Sequence, residues 1–184
     1  MIMNEDALSF SKPRKNFNGG QSVVIKDQHT GTNPILSVKR MHWVSDSKSV
    51  ILNLSDPDRR FVRSLDNLVL QKAHEHQIEW FGRTLSLENL KNVHQSSFQP
   101  DGTLRAKASP NMQVYDILHG NVDYQRLDGQ CVDVKLAIVG IYFKPGRFGV
   151  SYNIRQVRLL PVYTLARYAF EDDSQDEFSD ADSN

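Results

Sequence analysis

The chain has one strong helix signal, with runs of strand-type sequence on both sides of it. Asp56 can cap this helix, the next residue is proline, and apolar residues then recur at helical spacing until Gly82. Ser86 is predicted to cap a shorter helix in which Leu87 and Leu90 face inwards. Because strands and helices do not alternate along the chain, this order disfavours a parallel α/β architecture.

The rest of the folded sequence is typical of antiparallel strands, of which the last two are long. They are predicted at residues 23–25, 35–44 and 50–54 before the helices, and at 103–107, 112–118, 132–143 and 148–160 after them. Pro145 and Gly146 suit the centre of a type II turn, so the last two strands should form a hairpin with Lys144 and Arg147 at its tip. The apolar alternation changes near Gln156, which predicts a β-bulge. The pattern predicts a mainly β fold: an OB-fold-like, partly open antiparallel barrel with one inserted long helix and a short helix.

Formal charge is distributed unevenly along the 184 residues, although it sums to zero. Residues 171–184 hold seven acidic side chains and no basic one. Removing these seven from the 22 acidic residues leaves 15 against 22 basic ones, so residues 1–170 carry +7. A basic body with an acidic tail points to a polyanionic partner, although such a tail can also act only as a solubilising segment.

Three regions follow from the composition. Residues 1–20 are polar and basic, and we expect a flexible arm there. Residues 21–170 are predicted to form the OB-fold-like nucleic-acid-binding domain. Residues 171–184 are predicted to be a disordered acidic tail, because acidic and Ser-rich sequence cannot bury enough apolar surface to fold.

The motifs of common enzymes and metal sites are missing from the sequence. His74 and His76 are two residues apart and point to different sides of a helix, and Cys131 is the single cysteine. No phosphate-binding loop or nucleophile elbow is present. We therefore expect a non-enzymatic protein without metal or cofactor. The lone cysteine and the lack of a signal peptide or membrane-spanning run favour an intracellular, not a secreted, protein.

Residues 134–170 combine positive charge with aromatic rings. This segment has six basic and seven aromatic residues and no acidic one. Cations can follow the phosphates of a single strand while flat rings stack on unpaired bases. Alternating aromatics on strands are also common in protein cores, so each single ring has both interpretations. A second basic and aromatic patch, Lys39-Arg40-Met41-His42-Trp43, lies earlier in the chain.

Several motifs together resemble those of a known family. A strand at 49–54 runs into the Pro-started helix at 56–59, a turn at 99–103 leads into a Lys-rich strand, and a long hairpin at 134–162 precedes the acidic tail. This order resembles that of the replication single-stranded-DNA-binding proteins of small lytic phages. Phe148-Gly149-Val150-Ser151-Tyr152 is also similar to a motif in single-stranded-DNA-binding proteins of large eukaryotic DNA viruses. The phage family ends its tail on an aromatic residue, whereas here Phe178 lies inside the tail and the chain ends on Asn184.

The resemblance implies a protein that coats and protects single strands during viral or phage DNA replication, recombination or repair. It also implies a tail that occupies the DNA groove when DNA is absent and recruits a polymerase or helicase, with no membrane partner. It places the protein in the cytoplasm or nucleus of a host cell and leaves open a homodimer and a preference for RNA. The predicted nucleic-acid contacts are Lys39, Arg40, Trp43, Lys107, Tyr115, Lys135, Tyr142, Lys144, Arg147, Phe148, Tyr152, Arg155 and Arg158. The predicted partner-binding residues of the tail are Glu171, Asp172, Asp173, Asp176, Glu177, Phe178, Asp180 and Asp182.

Two other functions fit the same sequence. A virion or scaffold protein could use an antiparallel sandwich, with the tail controlling assembly. An RNA-binding regulator could use the same cations and rings to bind RNA instead of DNA.

Overall fold

A computed structural model of the chain describes residues 7–16, 20–45 and 49–161. Nine strands form one mixed sheet that is not closed, and three α-helices are inserted between its sixth and seventh strands. The predicted mainly β fold, partly open and with one long and one short helix, is confirmed. Among the described residues, no helix is both long enough and apolar enough to cross a membrane.

The strand β8 (Cys131–Lys144) organises the sheet. On one edge it pairs antiparallel with β9 (Arg147–Leu159) along almost its whole length. The other edge is divided between two strands. The first half of β8 pairs with β4 (Ile35–His42), and the second half with β3 (Gln21–Asp27). The predicted final hairpin is therefore confirmed, and it forms the long ribbon on which the rest of the sheet is assembled.

Gly140 lies where the partner of β8 changes from β4 to β3. A Cβ atom built on Gly140 would lie 2.1 Å from the carbonyl oxygen of Val23 on β3, so only glycine allows this approach. The register with β9 also shifts here, because Ile138 pairs with Tyr152 and Gly140 with Ser151. The bulge leaves one extra residue on β8 and bends the ribbon.

The strand β7 (Leu104–Tyr115) pairs with β9 in parallel, so the prediction of an entirely antiparallel barrel is wrong for this pair. β9 is antiparallel to β8, with which it forms the hairpin, and it runs in the same direction as β7. Two strands were predicted here, at 103–107 and 112–118, but β7 is one strand whose register with β9 shifts between Ala108 and Gln113. Beyond β7 lie β6 (Val50–Leu52) and β5 (Val44–Ser45) at the edge of the sheet.

The helices cover one side of the sheet. The long helix α1 (Asp56–Glu75) is capped by Ser55 and not by Asp56, which lies in the first turn. It buries an apolar stripe that includes Val62, Leu65 and Val69. The chain then breaks at one residue and continues as α2 (Gln77–Phe81), which ends at left-handed Gly82 as predicted.

The short helix α3 (Leu87–Val93) is capped by Ser86, whose Oγ accepts a hydrogen bond from the Asn89 N–H at 3.2 Å. Leu90 is fully buried, as predicted, but Leu87 is exposed, so its inward orientation was predicted wrongly. A helix of two turns has room for only a narrow buried stripe.

Some of the residues predicted as a flexible arm form strands. Residues 7–16 include β1 (Leu8–Phe10) and β2 (Arg14–Lys15), and both pair antiparallel with β3. Leu8 is buried, and the Phe10 ring lies 6.4 Å from the Trp80 ring. The prediction is wrong for these residues because their few apolar side chains cover the edge of the core.

Candidate nucleic-acid interface

The two sides of the central sheet differ in polarity, and neighbouring rows of paired residues point to opposite sides. Four valines paired in register across β4, β8, β9 and β7 point into the core and are buried: Val38, Val134, Val157 and Val114. The neighbouring register row points the other way and is polar: Ser37, Lys135, Gln156 and Gln113. Its members are hydrogen-bonded in pairs, Lys135 Nζ to Ser37 Oγ at 2.7 Å and Gln156 Nε2 to Gln113 Oε1 at 3.0 Å. One side of the sheet is thus a polar surface.

A cavity of about 370 Å³ opens at one end of this surface, and we call it the pocket end. Its polar centre is the Asp133 carboxylate, which accepts hydrogen bonds from Lys39 Nζ at 3.0 Å and from the Arg158 guanidinium. Tyr115 and His119 also line it. Burial alone would raise the pKa of Asp133, but these hydrogen bonds and one from the Arg40 N–H hold the pKa below its ordinary value.

The middle of the surface is shaped by a bulge in β9. Lys135 pairs with Gln156 and Leu136 with Ile154, so Arg155 is the extra residue, and the bulge predicted near Gln156 is confirmed. Arg155 lines a second cavity of about 460 Å³ together with Lys135. The bulge therefore places an additional cation on the same side of the sheet.

The other end lies at the hairpin tip. A third cavity of about 580 Å³, the hairpin groove, is lined by Arg105, Lys107, Lys144 and Arg147. Tyr142 lines it too, with Lys144 Nζ 5.5 Å from the ring centroid. The Tyr142 hydroxyl donates to Gln95 Oε1 at 2.8 Å, and burial raises its pKa, so it stays a neutral donor. The groove combines four cations with a half-buried ring.

These three cavities follow one side of the β8–β9 ribbon. Along β9, Arg158 lies at the pocket end and Arg147 at the hairpin groove, and the strand between them spans roughly 35–40 Å at about 3.3 Å per residue. The residues that line the three cavities include one acidic side chain, Asp133, and eight basic ones. We call these eight the basic face: Lys39, Arg105, Lys107, Lys135, Lys144, Arg147, Arg155 and Arg158.

Seven predicted contact residues therefore lie together on the basic face: Lys39, Lys107, Lys135, Lys144, Arg147, Arg155 and Arg158. The predicted rings of Tyr115 and Tyr142 lie beside it, both partly exposed. Arg40 is exposed on an adjacent bulge but lines none of the three cavities.

Trp43 was predicted to contact nucleic acid, but it is only 1% exposed and packs edge-on against Tyr124 at 5.9 Å. The cause is a bulge in β4, where Val38 pairs with Val134 and Met41 with Val132. Two residues of β4 therefore oppose one residue of β8, and the side-chain alternation is reversed beyond that point. This reversal directs Met41 and Trp43 into the core, so the stacking role predicted for Trp43 is wrong.

Phe148 and Tyr152 are also core residues, and their predicted stacking on bases is wrong. The Phe148 ring is 1% exposed and lies 5.3 Å from the Phe81 ring. The Tyr152 hydroxyl is 2.8 Å from Ser97 Oγ, which donates to the buried Asp66 carboxylate at 2.6 Å. Burial raises the pKa of Tyr152 well above its ordinary value, so its hydroxyl stays protonated in this network.

Sequence reasoning missed Arg105, Gln156 and His119, which line the cavities. Arg105 has the same strand parity as Lys107, so the alternation of β7 could have identified it. Gln156 and His119 carry no comparable local signal. The predicted tail residues, from Glu171 to Asp182, lie outside the described residues. Within the described part of the chain, no group of three or more His, Cys, Asp or Glu residues could hold a metal ion.

Residues 39–173 match a family of unknown function, DUF5871, and the chain belongs to that family. This match runs from the second half of β4 to beyond β9 and thus includes all eight cations of the basic face. No curated protein matches the chain.

Among solved structures, the chain is similar to the single-stranded DNA-binding protein from bacteriophage Enc34. The TM-score is 0.40 at 12% identity, covering 82% of this chain and 89% of that one. The same phage protein in complex with single-stranded DNA gives a TM-score of 0.39 at 11% identity, covering 80% and 93%. The resemblance to proteins of large eukaryotic DNA viruses stays a prediction.

Proposed function

We propose that this protein binds single-stranded DNA along the basic face and coats exposed strands during viral or phage replication, recombination or repair inside a host cell. The observation that carries the proposal is the run of eight cations with one acidic residue along one side of the β8–β9 ribbon. Because Asp133 is already bonded to Lys39 and Arg158, its negative charge is largely compensated locally. A flexible polyanion is therefore attracted along the whole surface.

The rings and cavities favour a single strand over a duplex. Tyr142 at the hairpin groove and Tyr115 at the pocket end are partly exposed beside cations, and a flat ring can stack only on a base that is unpaired. A duplex offers its phosphates but keeps its bases stacked inside. Phosphate contacts from lysine and arginine carry no sequence information, so we expect little sequence preference.

The test is a titration of three labelled nucleic acids of equal length: single-stranded DNA, duplex DNA and single-stranded RNA. We expect single-stranded DNA to bind more tightly than duplex DNA, since only unpaired bases reach Tyr115 and Tyr142, and at least as tightly as single-stranded RNA. Tighter binding to RNA would support an RNA-binding regulator instead. Failure to bind any of the three would favour a virion or scaffold protein and would refute the proposal.

We further propose that residues 171–184 compete with DNA and recruit a replication polymerase or helicase. Lys144 and Arg147 line both the hairpin groove and a neighbouring cavity of about 370 Å³. That cavity has aromatic walls, which include Trp80 and Phe143, and its lining has no acidic residue. An acidic segment with one aromatic residue, Phe178, has matching chemistry, and its tether raises its effective concentration.

Deleting residues 171–184 is expected to strengthen binding to single-stranded DNA, and more at low than at high salt. The attraction of a tethered polyanion is screened within about 8 Å at physiological ionic strength. Fluorescence titration of the full chain and the truncated chain at two salt concentrations measures the effect. Equal affinities at low salt would remove the competition. If the truncated chain still bound the polymerase and helicase in a pull-down, that would remove the recruiting role.

A further inference from the structure

An apolar loop tip lies between β7 and β8, and the binding of phosphates does not account for it. Leu118 is 85% exposed, the highest value among the exposed large apolar side chains of the described residues, and Ile117 beside it is 52% exposed. Exposing two neighbouring large aliphatic side chains is unfavourable in water, so such a tip indicates a contact with something outside the folded chain.

The loop holds this tip in a fixed position. The Asp116 carboxylate accepts hydrogen bonds from the Leu118 and Gly120 N–H groups, both at 2.8 Å. The Asp116 N–H donates to the Gly120 carbonyl at 3.0 Å, which closes the loop. His119 has a left-handed backbone with φ 64°, and Tyr115 forms a β-bridge with Asn121 below the tip. A tip held in this way loses little conformational entropy on binding.

The tip is adjacent to the basic face. Tyr115 and His119, the residues on either side of the Asp116–Leu118 segment, both line the pocket end. Lys39 and Arg158 line the same cavity. A strand whose phosphates follow the basic face would therefore bring its bases next to Leu118. A protein partner that contacts the tip would also lie beside the basic face, which repels cations and attracts polyanions. Single-stranded DNA is itself a polyanion and is therefore the better match in charge.

We propose that Leu118, supported by Ile117, inserts between neighbouring bases of the bound strand and unstacks them. This inference rests on the proposed binding of single-stranded DNA. Aliphatic side chains are known to act as wedges between base steps, where they replace base stacking with apolar contact. The inserted side chain would separate bases at the pocket end, where the rings of Tyr115 and His119 are available to the freed base. The protein would then actively disrupt base stacking as well as coat the strand.

The test uses a single-stranded adenine-rich oligonucleotide with 2-aminopurine at successive positions, because the fluorescence of this base rises when it unstacks. Because binding has little sequence preference, the register of the strand is not fixed, and the full wild-type chain is expected to raise the fluorescence of the bound strand at each interior probe position. Leu118→Ser should remove most of that rise, whereas Leu118→Met, which keeps an apolar side chain, should retain it. The affinity of Leu118→Ser should fall by less than about fivefold, because the phosphate contacts that supply most non-specific affinity are unchanged.

The matched control is Leu87→Ser, the same substitution at an exposed leucine of α3 that lines none of the three cavities of the basic face. It should leave the fluorescence rise unchanged. An equal rise in fluorescence with wild type and Leu118→Ser at saturation would overturn the proposed insertion of Leu118. If Leu118→Ser also had an altered sedimentation coefficient while its fluorescence was unchanged, the tip would be assigned to self-association instead. If wild type does not bind the oligonucleotide at all, the proposed function fails, and this outcome is distinct from a failure of the wedge alone.

Discussion

A variant with Lys107→Glu, Lys144→Glu and Arg147→Glu is expected to bind single-stranded DNA at least about 100-fold more weakly than wild type at low salt, because three phosphate contacts become three repulsions. All three side chains are exposed and line the hairpin groove. Surface substitutions of this kind change the free energy of unfolding by only about 0.5 kcal/mol each. Fluorescence anisotropy measures the affinity, and urea unfolding verifies that the variant is folded.

The control variant replaces three exposed cations by glutamate at positions that line none of the three cavities: Lys26, Arg60 and Lys91. Both variants change the net charge by the same amount. We expect the control to lose much less affinity, because screening limits the influence of charges more than about 8 Å from the strand. If both variants lost affinity equally, net charge and not the basic face would determine binding.

Gly140→Ala is expected to lower the free energy of unfolding by about 3 kcal/mol or more, at the upper end of the cost of overpacking. The added Cβ would lie 2.1 Å from a backbone oxygen and 3.0 Å from the Val24 Cα, and neither atom can move without displacing β3. The bend of the ribbon depends on this contact, so DNA binding should weaken as well. Urea unfolding followed by circular dichroism measures the loss.

Gly20→Ala provides the comparison, because the nearest atoms to its added Cβ lie at 3.7 and 3.9 Å, which is ordinary contact. Its midpoint of unfolding should stay close to that of wild type. A Gly140→Ala midpoint close to wild type would show that β3 can withdraw from β8, and the bend would then not require glycine.

The features that sequence predicted well are those with local causes. The Pro145-Gly146 turn, the bulge near Gln156 and the end of α2 at Gly82 each depend on a few neighbouring residues. Seven of the eight cations of the basic face were also named from the sequence, because lysine and arginine on strands stay exposed unless a partner neutralises them, and only Arg105 was missed.

The errors have long-range causes. Whether the rings of Phe148 and Tyr152 bind bases or fill the core depends on α1, α2 and the segment after α3, which lie far away in sequence. The orientation of Trp43 depends on a bulge opposite Asp133, some ninety residues later, whose carboxylate accepts hydrogen bonds from Lys39 and the Arg40 N–H. Periodicity within one strand contains no information about these partners.

The salt dependence of binding by the full wild-type chain tests directly whether the basic face holds the phosphates of a single strand. If the basic face contacts four or more phosphates of a single strand, the plot of log affinity against log salt should have a slope of about −3 or steeper, at roughly −0.7 per contact. Affinity for a duplex of the same length, measured in parallel, should be clearly lower across the range. A flat salt response, or equal affinity for duplex and single strand, would contradict the assignment of this surface to single-stranded DNA.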